Sequence, residues 1–368
     1  MAETVAAQSR ALAEVLGKHR GERHILVLQE YPDPDAIASA FAHKLISREF
    51  DIEVDLVYSG RLSHQQNVAL VKLLGIELRR YEAGMSLRPY QGAVFVDHQG
   101  TTAEGLVAAL EEAEVPILIV VDHHEPQRRM EPEYADLRRI GATSTIYAEY
   151  LEQGLVHLDK ADQDHRVAAT ALMHGLLTDT AGFVRAGPAD FQAAAYLSEF
   201  RDADVLSEIL SQDRPKGVME VIHQALGNRM IVESFSLAGT GYLRAEDRDA
   251  IPQAADFLLT EQNVHSAIVY GIVTEENRET LIGSMRTSKL TLDPDEFIKD
   301  ALGKDVSGRY FGGGRPLAGG FEIPIGFLSG DGGEEYRRNK WAVYDAQVKH
   351  RLLEKIGVGQ PRQEERKP

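Results

Sequence analysis

PILIVVDHHEP (116–126) decides the fold. The run from Pro116 to Val121 is apolar and mostly β-branched, with no polar alternation. Such a run reads as a strand buried on both faces of a parallel sheet. Asp122, His123 and His124 follow at its carboxyl end, and Pro126 stops the element. Ligand sites of open α/β sheets lie just past the carboxyl ends of the strands. Two imidazoles and a carboxylate there suit a metal site. A polar turn that merely ends a strand is the competing reading.

The same pattern extends on the amino-terminal side. HILVLQ (24–29) reads as a strand, followed by EYPDPD and a helix over AIASAFAHKLIS. DIEVDLVYSG (51–60) is the next strand and turn, and SHQQNVALVKLLG (63–75) is an amphipathic helix closed by Gly75. IELRRY (76–81) reads as a short edge strand, GAVFVDHQG (92–100) as a buried strand ending at Asp97, and TTAEGLVAALEEAE as a helix. Strands alternating with helices imply βαβ units and a mainly parallel sheet. Gln29, Asp33 and Asp35 follow the first strand, Asp97 ends a later one, and Asp122 to His124 end the next. HRVAATALMHGLLTDTAGF (165–183) adds a helix with Asp179 in the polar turn after it. LDPDEF (292–297) nearly repeats Pro-Asp-Pro-Asp (32–35); there Asp293 or Asp295 reads as a helix N-cap, and Asp35 could be one too.

The chain has 368 residues, room for two or three domains. Its net charge of −17 argues against a long nucleic-acid track, which needs many Lys and Arg on phosphates. Cys is absent, so neither disulfides nor thiolate metal sites are available. No apolar run approaches the roughly 20 residues that span a membrane. The amino terminus reads as an amphipathic helix without a signal-peptide core, and a cytoplasmic address is the expectation.

Helical patterns run from 188 to 230, and the texture changes near 233. SFSLAGTGYLRA reads as a strand and RDAIPQAADFLLT as a helix. HSAIVYGIVTE and ETLIGSMRTS read as two strands of a hairpin, DPDEFIKDALG as a helix, and GGGRPLAGGFEIP as a Gly-rich loop. The expected organisation is a catalytic domain over 1–200, a helical connector over 201–232, a smaller α/β domain over 233–350 and a polar tail over 351–368.

Carboxylates and imidazole without sulfur suit Mn²⁺ or Mg²⁺ ahead of Zn²⁺ or Fe²⁺. Four carboxylates balance two divalent ions. A pair of such ions, held roughly 3.5–4 Å apart by a shared carboxylate, activates water for in-line displacement at phosphorus.

Four motifs in this order resemble the DHH phosphoesterases: PDPDAIAS (32–39), VFVDHQG (94–100), VVDHHEP (120–126) and LLTDTAGF (176–183). That family includes RecJ exonucleases, nanoRNase/pAp phosphatases and cyclic di-AMP phosphodiesterases. The resemblance implies two divalent ions, Mn²⁺ first and Mg²⁺ second. Asp33 and Asp97 would hold one ion; Asp35, Asp97, His123 and Asp179 would hold the other, with Asp97 bridging. Asp97, His123 and His124 become the catalytic set, and His124 leans toward the substrate phosphate. Asp122 orients its neighbours. The family's first motif opens with a His; Gln29 stands there, a neutral donor that binds cations more weakly. His98 is a substitute ligand, although a polar residue on the strand-end loop is the simpler reading. Arg185, just after the fourth motif, would stabilise charge on phosphoryl oxygens.

The second half resembles the DHH-associated C-terminal domain, which clamps the far end of the substrate across the cleft between the domains. Arg286 in SMRTS would pair with a phosphate. In GRYFGGGRPLAGG (308–320), Gly312, Gly313 and Gly314 would present amides to phosphate oxygens. Arg315 replaces the family's His, so it would bind without transferring protons. The implied activity is hydrolysis of short oligoribonucleotides or pAp. A cyclic or linear dinucleotide phosphodiesterase is the runner-up, polyphosphate hydrolysis a third possibility, and a nucleotide sensor without hydrolysis the reading from another class. The resemblance also leaves a homodimer open.

Overall fold

Apolar runs alternating with amphipathic stretches fold residues 1–213, the first of two compact units, as a doubly wound α/β layer. The computed structural model describes residues 2–357 apart from 63, 64, 83, 128, 213, 214, 276, 277, 316 and 331. The end of the expected tail, from 358 on, and the tip of the expected hairpin, at 276–277, lie outside the described residues.

In chain order the first unit contains α1 (Ala2–Lys18), β1 (Arg23–Val27), α2 (Pro34–Arg48), β2 (Glu53–Tyr58), α3 (Gln65–Leu74), β3 (Arg79–Arg80) and β4 (Gly92–Val96). It continues with α4 (Glu104–Glu112), β5 (Ile117–Asp122), β6 (Tyr134–Leu137), α5 (Thr143–Glu152), α6 (Gln163–Asp179), α7 (Pro188–Ser198) and α8 (Ala203–Leu210). The sheet order is β3-β2-β1-β4-β5-β6, and every neighbouring pair is parallel. The chain steps outward from β1 to β3, then returns to lay β4 against the other side of β1. Winding reverses there, and the loops leaving β1 and β4 part to open a crevice at their carboxyl ends.

Helices cover both faces, so successive strand residues enter opposite cores. Ile25, Val27 and Phe95 pack with Leu106 and Leu110 of α4, while Leu26, Val94 and Val96 pack with Leu12, Ile37, Ile146 and Leu172. This explains strands without polar alternation. One crossing is unusually close. A Cβ on Gly175 of α6 would lie 2.9 Å from Asp35 Cα and nearer still to Ser144 Oγ. Only glycine lets α6 rest on α2 at this point.

The stretch holding β6 and α5 has no counterpart in the sequence reading. A buried polar network ties the two together. Arg138 donates to both oxygens of buried Asp136 at 2.7 and 3.0 Å and to Glu149 at 2.6 Å. Tyr150 donates to Asp136 at 2.6 Å, and its hydroxyl lies 2.8 Å from that of Tyr134.

The second unit contains α9 (Lys216–Asn228), β7 (Met230–Val232), β8 (Phe235–Arg244), α10 (Ala250–Leu258), β9 (Ser266–Glu275) and β10 (Arg278–Thr287). α11 (Pro294–Leu302), β11 (Gly312–Arg315), β12 (Ala318–Pro324) and α12 (Glu334–Ile356) follow. The sheet order is β11-β12-β10-β9-β8-β7, antiparallel except between β8 and β9. Val221 of α9 and Ile251 of α10 pack on one face, and Phe297 of α11 and Val348 of α12 on the other. The segment read as a connector is shared: α8 packs on α3 and α6, whereas α9 packs on α10 and β8.

One expectation is corrected. Gly312 to Arg315 form an edge strand, not a loop. Glycine serves here because a Cβ on Gly312 would lie 2.6 Å from the Phe321 Cβ of the neighbouring strand. The backbone ladder needs no side-chain pattern, so the sequence carried no strand signal.

Arg138→Met is expected to cost about 3–5 kcal/mol in urea unfolding, because it strands the buried Asp136 charge. Adding Asp136→Asn should recover part of that loss. His43 on α2 is fully buried, its Nδ1 3.0 Å from the Tyr147 hydroxyl. Burial, with a smaller push from His24, lowers its pKa from 6.5 to about 3. As pH falls below that ordinary value the unfolded chain takes up a proton that the folded chain refuses, so stability present above it declines toward pH 3. Between about pH 7.5 and about pH 5, the parent should lose roughly 2 kcal/mol more than His43→Gln. Equal losses would clear His43 of this role.

Candidate active site

Asp97 sits at the centre of the crevice, just past β4, and is 1 % exposed. Its backbone is left-handed at φ +63°, a conformation that Asp tolerates better than most residues. The turn aims its carboxylate across the end of β1. Thr143 donates to Oδ1 at 2.9 Å and Gln29 donates to Oδ2 at 2.9 Å. Asp35, in the first turn of α2, is fully buried and accepts the Thr143 and Ser144 amides at 2.7 Å each. Those amides open α5, whose own N-cap, Ala142, offers no side-chain acceptor. Asp35 therefore does cap a helix, but one that approaches from across the crevice.

His123 is fixed by its far nitrogen. Nδ1 lies 3.0 Å from the Ile140 carbonyl, so it carries the proton and donates. Nε2 points inward, 3.4 Å from Asp97 and 3.2 Å from Asp179, and makes no hydrogen bond of good geometry. Asp179 ends α6. Ligand atoms of Asp35, Asp97, His123 and Asp179 all lie within 4.8 Å of one another, and Asp97, His123 and His124 form an overlapping group. Among the described residues, no Lys or Arg pairs with any of these carboxylates.

The electrostatics reflect that crowding. Burial, then repulsion from Asp179, pushes Asp35 up to about 6. Burial, then repulsion from Asp35, Asp33 and Asp179, holds Asp97 well above the carboxylate range. Burial alone would lower His123, but nearby Asp179 and the charge of Asp35 carry it up to about 9. Two acids that resist ionising beside an imidazole that favours it lack positive charge. The donor set fits a divalent cation: hard carboxylate oxygens, plus an imidazole whose protonated nitrogen is held by a carbonyl and whose other nitrogen is unpartnered.

The remaining expected residues fall into place around this set. Asp33 is the N-cap of α2, with Oδ1 accepting from Ala36 at 2.9 Å. It lies outside both ligand groups, yet its charge reaches Asp97. His98 uses both nitrogens, Nε2 toward the Val27 carbonyl and Nδ1 accepting from Gly100, so none is free for a metal. Asp122 accepts from His124 Nδ1 at 2.7 Å and from Gln99 at 2.7 Å. Burial raises its pKa, but these bonds outweigh burial and bring it below the ordinary value. The His124 ring is half exposed, with Nε2 left for a ligand. Arg185 is exposed, and its guanidinium has no partner among the described residues.

Several supporting residues escaped the sequence reading. Gln99 bonds Asp122 and the Glu125 carbonyl and accepts from the Gln127 amide, bracing the histidine loop. Buried Asp190 accepts from Thr145 at 2.6 Å, Gly141 at 3.2 Å and Gly187 at 2.7 Å. It fixes the turn that carries the Ile140 carbonyl and the Thr143 and Ser144 amides. The available signal was Gly-Ala-Thr-Ser-Thr (141–145), a small polar cluster before an apolar run.

In the second unit Arg286 is partly engaged, donating to Asp256 at 2.8 Å and to Ser284 at 2.8 Å. Arg286 of β10 and Arg315 of β11 both register with Ala318 of β12. Arg286 turns toward α10 through its bond to Asp256, whereas Arg315 lines a depression with Asp293, Pro294 and Asp295 at the start of α11. Gly312 lines a depression of about 600 Å³ with Arg309 and Tyr310. The Gly314 amide is taken by Asp295 at 3.0 Å, and a Cβ on Gly313 would approach that same carboxylate.

Known proteins share this architecture. Residues 24–200 match the profile of the DHH family, N-terminal domain. An uncharacterized protein of Methanocaldococcus jannaschii is 34 % identical over 330 residues, covering 89 % of this chain and 63 % of that protein. This chain thus spans somewhat under two thirds of that relative. The crystal structure of an exopolyphosphatase-related protein from Bacteroides fragilis aligns over 93 % of this chain and 98 % of its own, at TM-score 0.65 and 15 % identity, a likeness of fold. Exonuclease RecJ bound to manganese aligns more loosely, at TM-score 0.46 and 13 % identity over 95 % of this chain and 98 % of its own. With the four motifs ranged along the crevice of the matched region, residues 24–200 form a DHH family, N-terminal domain.

Proposed function

We propose that the chain is a metal-dependent phosphohydrolase acting on short nucleotide substrates, oligoribonucleotides or pAp, with Mn²⁺ as the favoured ion and Mg²⁺ as the second. The observation that carries this reading is the cage of Asp35, Asp97, Asp179 and His123, rich in negative charge and, among the described residues, without a Lys or Arg partner. Divalent ions bound there supply a Lewis acid for the phosphoryl oxygens and lower the pKa of bound water. Asp35, Asp97, Asp179 and His123 Nε2 would hold one ion; Asp33, Asp97 and the Gln29 carbonyl would hold the other.

The protein's own groups do the rest. Ile140 and Asp190 keep the His123 lone pair turned inward. Asp122 anchors His124 through Nδ1 and leaves Nε2 outward, where the imidazolium form would donate to a phosphoryl oxygen and stabilise its growing charge. Arg185 adds a guanidinium on the same unit. Arg286 and Arg315 give the second unit two guanidiniums of the kind that pairs with phosphate. A net charge of −17 disfavours long strands. The exopolyphosphatase-related relative in fold makes inorganic polyphosphate a useful control substrate.

A non-hydrolytic sensor is the second reading, and Gln29 carries it, because its amide already occupies Asp97 Oδ2 where the family places a histidine. The two metal positions should accordingly be unequal. Calorimetric titration with Mn²⁺ is expected to give one tight equivalent and a second weaker by roughly tenfold or more, with Gln29→His narrowing the gap. Two equal sites in the parent would contradict this.

Product release with Mn²⁺ should be assayed on pAp, RNA of two to five nucleotides, cyclic di-AMP and polyphosphate. Turnover of RNA or pAp, abolished in Asp97→Asn and His123→Gln and reduced about 10²–10³-fold in His124→Ala, is expected. Preference for the cyclic or linear dinucleotide would move the assignment to that class. Nucleotide binding without turnover under any metal would replace the enzyme with the sensor.

A further inference from the structure

A second cluster of metal-type donors lies at the other end of β1. His19 follows α1, Glu22 precedes β1, and His24 is the second residue of that strand. His19 Nδ1 lies 2.9 Å and His24 Nε2 3.1 Å from the same oxygen, Glu22 Oε2. The ligand atoms of all three lie within 4.8 Å of one another. On the far side of His19, Nε2 faces Glu133 Oε1 at 3.4 Å. All strands of this sheet are parallel, so their carboxyl ends share one edge. This cluster occupies the opposite edge from the Asp97 cage.

The arrangement is short of positive charge. His19 lies between two carboxylates. In either neutral tautomer it turns a bare nitrogen toward one of them, lone pair against lone pair. His24 is completely buried, and its Nδ1 has no partner. A cation at the shared point would meet His19 Nδ1, His24 Nε2 and Glu22 together. Glu133 would then accept the remaining His19 proton, the carboxylate–histidine–metal relay that orients ligating imidazoles. Glu22 and Glu133 keep partial exposure, which gives an ion a way in.

We propose that His19, Glu22 and His24 form a zinc site, with Glu133 orienting His19, that ties the end of α1 and the run-up to β6 to the start of β1. Two imidazoles and one carboxylate with a fourth position for water suit Zn²⁺, whereas the mostly carboxylate cage at the other edge suits harder ions. The competing account is a protonated His19 shared between the two acids, with no metal.

The full chain, stripped by chelator, should be dialysed against Zn²⁺ in excess Mg²⁺, with bound zinc counted and the melting midpoint recorded. In an Asp97→Asn background, zinc is expected to raise the midpoint, and adding His19→Gln should remove both that rise and one zinc equivalent. Glu22→Gln, at a more exposed position, should repeat the loss if His19→Gln folds poorly. Glu133→Gln should weaken binding by roughly tenfold without abolishing it. Co²⁺ substituted for zinc should give a visible tetrahedral band that vanishes in Glu22→Gln. Equal zinc counts in the parent, His19→Gln and Glu22→Gln, or a rise in midpoint that survives both changes, would overturn the site. These readouts are independent of catalysis, so they stand whether or not the Asp97 cage hydrolyses nucleotides.

Discussion

Like charges buried together dominate this molecule. Asp35, Asp97 and Asp179 are gathered where solvent screens them poorly, and among the described residues no Lys or Arg pairs with them. Such an assembly is costly, and the fold meets the cost with directed dipoles. The first amides of α5 point at Asp35, the Thr143 hydroxyl and the Gln29 amide point at Asp97, and the Ile140 carbonyl holds His123 in one tautomer. The turn carrying the Ile140 carbonyl and the α5 amides is itself tied down through Asp190, and α5 through the Asp136–Arg138–Glu149 network. The polar interior of the first unit therefore reads as one nested support, with the carboxylates innermost.

Much of this was legible in the chain. Continuous apolar runs announced strands covered on both faces, and acids at their carboxyl ends announced a crevice. Strand order was not legible, because hydrophobic pattern says which residues are buried and not which strand lies beside which. Once β4 returns to the side of β1, the scattered acids become neighbours. Long-range polar contacts were equally hidden. Asp35 caps a helix more than a hundred residues along the chain, and no local rule links Asp35 to Thr143. β6 and α5 passed unread because a four-residue strand and a helix lacking a capping side chain give weak signals.

The second unit erred in the opposite direction. Gly312 to Gly314 look like a loop to any rule based on side chains, yet they pair by backbone alone at the sheet edge. α12 carries Trp341, Tyr344, Val348 and Leu352 at helical spacing within an otherwise charged stretch, a stripe too narrow to stand out. Asp293 behaved as its local pattern indicates and caps α11. Local chemistry was reliable where the contact was local.

Gly175 bears on how such a chain can change over generations. Helix interiors ordinarily admit many residues, and replacing glycine by alanine there usually helps. At the α2–α6 crossing the first added carbon meets the backbone of Asp35 itself. Substitution at this one helical position would be felt as displacement of a carboxylate, not as a change in helix propensity. Within α6, drift is thus closed at a residue that carries no chemistry of its own.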